Sequence, residues 1–160
     1  MSNGEKLVDT FYAAFKRKDW HAMQACYHPD ISFSDPVFPV LKGKAAMAMW
    51  HMLVEASTDL DISHHDLFPE SSEIVKCQWE AVYSFSRTGR KVHNVIGASF
   101  RFQDNLIISH QDSFDLWKWS RMALGMPGIL LGWTPFMKRK IQNMANTSLT
   151  RFIEKHPAYQ

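Results

Sequence analysis

Between Ile74 and Phe114, apolar residues fall on every second position through three segments separated by turn sequences. Val75, Cys77, Trp79, Ala81, Tyr83 and Phe85 alternate within Ile74–Arg87. Val92, Asn94, Ile96, Ala98, Phe100 and Phe102 alternate in the next segment, and Ile108, His110, Asp112 and Phe114 in the last, Leu106–Phe114. A period of two places one set of side chains on a single face of a pleated strand. Thr88-Gly89 is a hairpin turn sequence, and Gln103-Asp104-Asn105 is a second turn. Long strands joined this way form an antiparallel meander with one apolar face, and that face demands a covering layer.

The preceding residues can supply the cover. Ser2 with Glu5 forms a capping-box pattern. Leu7, Val8, Phe11, Tyr12 and Phe15 then follow helical spacing to about Lys18. A short helix is expected over Trp20–Tyr27, broken at His28-Pro29-Asp30. A strand follows from Ile31 to Asp35, stopped by Pro36 and Pro39. A third helix runs from Ala45 to Val54, and another strand from Leu60 to Phe68. Helices first and a meander later predict an α+β domain, with one curved antiparallel sheet wrapped around the N-terminal helices as a cone. The 160 residues suit one domain with a sizeable core.

Beyond residue 117 the pattern returns to helix. Leu116–Leu124 reads as one helix, Gly125-Met126-Pro127-Gly128 as a break, and about Pro135–Glu154 as a second. Met137, Ile141, Met144, Leu149 and Phe152 lie near a common face, while Lys138, Arg139 and Lys140 are expected in solvent. The chain thus divides into a cone domain, 1–117, and a C-terminal helical extension, 118–160. The extension either caps the cone or builds a dimer interface, and packing is favoured over lipid contact.

Composition narrows the function. A formal net charge of +2 gives no reason to expect nucleic acid or a membrane as partner. No leader pattern and no run of about 18 apolar residues appears, so a cytoplasmic location is expected. Cys26 and Cys77 have neither metal nor disulfide spacing. His64 and His65 are adjacent in a strand and point to opposite faces, so no metal is expected there. No phosphate-loop or other cofactor motif occurs. Aromatic residues, with six Trp and eleven Phe, make up 13% of the chain. Such side chains line pockets as well as cores.

Two acids stand out. Ile31, Phe33 and Asp35 share a strand face, as do His110, Asp112 and Phe114. A carboxylate on an apolar face loses hydration and needs a partner, a wet cavity or a chemical role. Asp35 precedes Pro36, so capping the following loop is the alternative to a site role. Asp112 can instead pair with a cation or with His110, and His110 can be a structural histidine. Asp115 is expected to cap the helix that follows it.

These pieces, in this order, resemble the nuclear-transport-factor-like superfamily, in its SnoaL-like and ketosteroid-isomerase-like branch. The resemblance covers about residues 4–117. It rests on Phe11-Tyr12-Ala13-Ala14-Phe15, Lys18-Asp19-Trp20, Phe33-Ser34-Asp35-Pro36, Gly43-Lys44, Thr88-Gly89-Arg90-Lys91, Ser99-Phe100-Arg101-Phe102 and His110–Leu116. It implies a cone fold, a homodimer and a small apolar ligand. Asp35 matches the proton-abstracting base of ketosteroid isomerases, but Phe11 and Ala98 stand where that family has its two oxyanion donors, with Tyr12 one residue away. The chain also resembles limonene-epoxide hydrolase. Asp112 matches one acid of that enzyme's cluster, Trp79 and Ala81 stand at its Arg and second Asp, and Phe33 and Asp35 at its Tyr and Asn. Neither catalytic set is complete.

The combined expectation is one pocket lined by Phe11, Phe15, Phe33, Trp50, Trp79, Ala81, Tyr83, Ala98 and Phe100. Asp35, Asp112 and His110 are its candidate acid–base groups. The function expected is cofactor-independent isomerase or cyclase chemistry, or epoxide hydrolysis, on a carbonyl or polyketide-like substrate. A non-catalytic small-molecule binder and a dimeric interaction module are the alternatives.

Overall fold

The computed structural model describes all 160 residues. Helices α1 (Asn3–Lys16) and α2 (Trp20–Ala25) precede strand β1 (Tyr27–Ser34), a two-residue strand β2 (Leu41–Lys42) and helix α3 (Lys44–Ala56). The meander follows as β3 (Asp61–Pro69), β4 (Ile74–Ser84), β5 (Lys91–Gln103) and β6 (Leu106–Ser113). Helices α4 (Leu116–Leu124), α5 (Met126–Leu131) and α6 (Pro135–Lys155) complete the chain, with a short 3-10 turn at Pro157–Tyr159. The capping box at Ser2 and Glu5 closes reciprocally, and the Asp115 carboxylate accepts from the Lys118 N–H at the start of α4.

The sheet is a single curved layer in the order β2-β1-β6-β5-β4-β3. It is not wholly antiparallel, because β1 lies parallel to β6. No hairpin joins those two strands, so nothing forces them to oppose. The turn at Asp104 and Asn105 has positive φ at both residues, as a two-residue hairpin turn requires. β4 stops at Ser84, short of the expected Arg87, because the hairpin closes through Phe85 N–H donating to the Arg90 carbonyl at 2.8 Å.

Two bulges and one glycine correct other expectations. The second helix ends at Ala25, and Tyr27 already pairs with Ile107. The ladder then slips before resuming at Ser32 and Ser109, so His28-Pro29-Asp30 bulges within β1 rather than breaking a helix. On β6, Arg101 pairs with Ser109 and Phe102 with Ile107, which leaves Ile108 as the extra residue. Ile107 therefore takes the core position expected of Ile108. The break expected at Gly125–Gly128 shrinks to Gly125, whose φ of +68° ends α4, and Met126 already starts α5.

The main core joins α1, α3 and the concave sheet face. Phe11, Tyr12, Phe15, Trp50, Phe33 and Phe100 are buried there, and Leu149 of α6 belongs to the same core. A smaller cluster of Val92, Trp119, Ala123, Met137 and Ile141 ties α4, β5 and α6 together. The C-terminal helices thus pack on the cone of their own chain.

Candidate functional site

Sheet register brings the two acids together. Phe33 pairs with His110 and Ser34 with Gln111, so the next step along both strands carries Asp35 and Asp112 to the same end of the sheet. Both line one cavity of about 570 Å³, a volume typical of small-molecule sites. Of the residues expected to line a pocket, Phe15, Phe33, Trp50, Trp79, Ala81 and Tyr83 contribute to its wall. Phe11, Ala98 and Phe100 do not. Phe11 stacks on Tyr27, Phe100 lies against His110, and Ala98 pairs with Asp112 within the sheet. Tyr12 also stays outside, fully buried and stacked on His64, and its hydroxyl has no hydrogen-bond partner.

His110 does not face the cavity. It is fully buried behind Asp112 in a hydrogen-bond chain. The Trp50 indole N–H donates to the Tyr27 hydroxyl at 2.7 Å. Tyr27 then has its own proton to give to His110 Nδ1, 2.7 Å away. That leaves His110 Nε2 carrying the hydrogen it donates to Asp112 Oδ1 at 2.9 Å. Trp79 Nε1 donates to the same oxygen at 3.3 Å. A neutral indole thus serves Asp112 from the position where the epoxide-hydrolase pattern has an Arg. Asp112 Oδ2 takes no hydrogen bond from the protein, in a residue that borders the cavity.

Asp35 is half-buried just past the end of β1. Its Oδ1 accepts the backbone N–H groups of Val37 at 2.7 Å and Phe38 at 2.6 Å, so it caps the loop and borders the cavity at once. Burial pushes its carboxyl up to about 7, and the charge of Asp112 adds to the rise. The N–H donors of Phe38 and Val37 pull the other way.

Two polar wall groups were not singled out by sequence reasoning as hydrogen-bonding groups. Tyr83 accepts from Trp119 Nε1 at 2.8 Å, which leaves its own proton free. Burial raises its pKa, so it stays protonated at neutral pH. Asn94 is the one polar residue among Val92, Ile96, Ala98 and Phe100 on its strand face, and that was its available signal. It lines the cavity and makes no side-chain hydrogen bond.

The rest of the wall comes from α6, through Ile141, Met144, Ala145, Ser148 and Phe152. Arg87, Arg151 and Lys155 stand at its edge, and no carboxylate pairs with any of them. Away from the cavity, His51, Glu55 and His156 bring ligand-type atoms within 4.8 Å of one another. Both nitrogens of His51 are already engaged, by Tyr159 and Glu55, in a network that ties α3 to the C-terminal turn. His64 bonds Asp9 while His65 bonds Asp66 and Glu80, so the pair diverges.

A curved six-stranded sheet closed by helices over a small apolar cavity defines a cone-shaped NTF2-like protein. The chain belongs to the SnoaL-like domain family, whose model matches residues 8–110. Asp112 and helices α4 to α6 lie beyond the matched segment. No curated protein matches in sequence. Among solved structures, an NTF2-like protein of unknown function from Burkholderia pseudomallei is 19% identical, with a TM-score of 0.66 over 76% of this chain and 98% of that one. A putative polyketide cyclase from Xanthomonas campestris pv. campestris is 23% identical, with a TM-score of 0.62 over 75% and 96%. A limonene-epoxide-hydrolase-like epoxide hydrolase of M. tuberculosis is 14% identical, with a TM-score of 0.63 over 80% and 92%. At these identities the likeness is one of fold.

Proposed function

We propose that this protein is a cofactor-independent acid–base catalyst of the cyclase or isomerase type, acting on a small apolar molecule that carries a carbonyl. The observation that carries the reading is Asp35, a carboxyl on the wall of an apolar cavity whose pKa of about 7 supplies both base and acid near neutrality. The Asp35 carboxylate takes a proton from the carbon beside the carbonyl. The enolate oxygen that forms accepts from the free Tyr83 O–H and the Asn94 amide. The enolate carbon then attacks a second carbonyl of the same molecule, and the resulting alkoxide takes its proton from the Asp35 carboxyl. Electrons and protons balance without an oxidant. Return of the proton to a different carbon gives isomerisation instead. Asp112, held by His110 and Trp79 through Oδ1, orients the substrate or shares the proton through Oδ2. Polyketide-cyclase-like structures among the similar folds support the substrate class.

The second reading is a binding protein without turnover. It is favoured by the commitment of Asp35 Oδ1 to two loop N–H groups. Asp35→Asn separates the two, because the amide oxygen keeps both loop bonds. For a catalyst, a panel of 1,3-diketones and aromatic ketones contains a molecule whose turnover the variant loses while its binding, read as thermal stabilisation, remains. Binding without turnover in the unaltered protein refutes the catalytic reading.

A further inference from the structure

We infer that α5 and the start of α6 form a docking surface for an anionic lipid bilayer. No helix is long and apolar enough to cross a membrane, so the attachment is to the surface. The first observation is an inverted helix. A surface helix ordinarily buries its large apolar side chains. In α5 and at the residue that ends it, the buried side is glycine: a Cβ placed on Gly128 would overlap the Ser120 carbonyl, and one on Gly132, just past the helix, would overlap the Ser120 hydroxyl. That close seat on α4 turns the large side chains outward. Met126, Ile129, Leu130, Leu131, Trp133 and Phe136 are all exposed, with Leu130 at 60%, Trp133 at 66% and Phe136 at 64%. Contiguous apolar exposure of this kind marks an interaction surface.

Charge identifies the occupant. Residues 116–153 carry six Lys and Arg and no Asp or Glu. Against a total of +2, the rest of the chain is therefore at −4. Lys118, Arg121, Lys138, Arg139 and Lys140 flank the apolar side chains, are exposed, and form no ion pair. Exposed apolar and aromatic side chains bracketed along the chain by exposed cations match the acyl boundary and headgroups of an anionic leaflet. A second copy fits worse. A two-fold interface presents the same patch to itself, which would set these cations against each other with no acid between them.

The surface expected in solvent and in packing is thus better suited to lipid, and its test does not depend on what enters the cavity. The full chain is sedimented with phosphatidylcholine vesicles, alone or with phosphatidylglycerol at about 2:1. Binding is expected to the anionic vesicles, little to the neutral ones, and release by salt. Lys138→Gln/Arg139→Gln/Lys140→Gln lowers the affinity by on the order of a hundredfold at low salt. Leu130→Ser/Trp133→Ser, whose side chains are exposed and leave the fold intact by thermal melt, removes binding. No sedimentation with the anionic vesicles overturns the inference, as does binding unchanged in the Leu130→Ser/Trp133→Ser protein. A micromolar dimer that this double substitution dissociates would assign the patch to a second copy and also overturn it.

Discussion

Replacing Asp35 by Asn should change how stability depends on pH. The native carboxyl titrates near 7 against an ordinary 3.8, chiefly because burial disfavours its charge. The native state therefore holds this proton more tightly than the unfolded chain. Stability from this group is fully present below the unfolded pKa and is lost as pH rises through the native one. The gap is roughly three pH units, an upper bound of ~4 kcal/mol at about 1.4 kcal/mol per unit. The carboxyl is only half-buried and meets the open cavity, so screening reduces the expectation to about 2 kcal/mol. For a chain of this size that corresponds to a melting shift of about 4–8 °C. Asn keeps the acceptor for Val37 and Phe38 and cannot ionise, so it isolates the titration from the loop cap. The assay is urea unfolding of both proteins at about pH 4 and pH 8. The unaltered protein should lose about 2 kcal/mol relative to Asp35→Asn between those conditions. A difference between the two proteins that does not move with pH refutes the argument that burial governs Asp35.

Four further outcomes are expected. His110→Ala leaves Tyr27 and Asp112 without their shared partner in the core, and should cost about 3–5 kcal/mol in chemical denaturation. Tyr27→Phe should cost less, about 1–3 kcal/mol, because it keeps the ring and orphans only the Trp50 N–H and His110 Nδ1. Gly128→Ala forces α5 off α4 at Ser120, and should destabilise by about 1–3 kcal/mol or more by thermal melt. Ala81→Phe adds bulk to the sheet wall of the cavity. It should abolish the thermal stabilisation given by an apolar ligand, which for the unaltered protein at a hundred times its Kd is about 2.7 kcal/mol.

Much of the fold is legible in the sequence because its signals are local. Val75 to Tyr83 and Val92 to Phe100 alternate as the structure has them, since a two-residue period needs only one buried face. Helix α4 begins where Asp115 caps it. Two of the misreadings are decided by distant partners. Tyr27 leaves its helix because Trp50 and His110 hold its hydroxyl. Ile107 displaces Ile108 because β5 imposes a bulge on β6.

The candidate site divides along the same line. The sequence determined that two carboxyls sit at the ends of apolar strand faces, because alternation and the Asp-Pro step are written in neighbouring residues. Tertiary structure alone decided what surrounds them. The parallel pairing of β1 with β6 set Asp35 and Asp112 at one end of the sheet. Packing of α6 on α3 supplied a cavity wall from residues about a hundred positions distant from β1 in the chain. The pairing of β6 between β1 and β5 placed His110 against Tyr27, behind Asp112 rather than in the cavity, and the glycine seat on Ser120 turned an apolar helix outward. Local pattern fixes which face a side chain takes; only long-range contact fixes what that face meets.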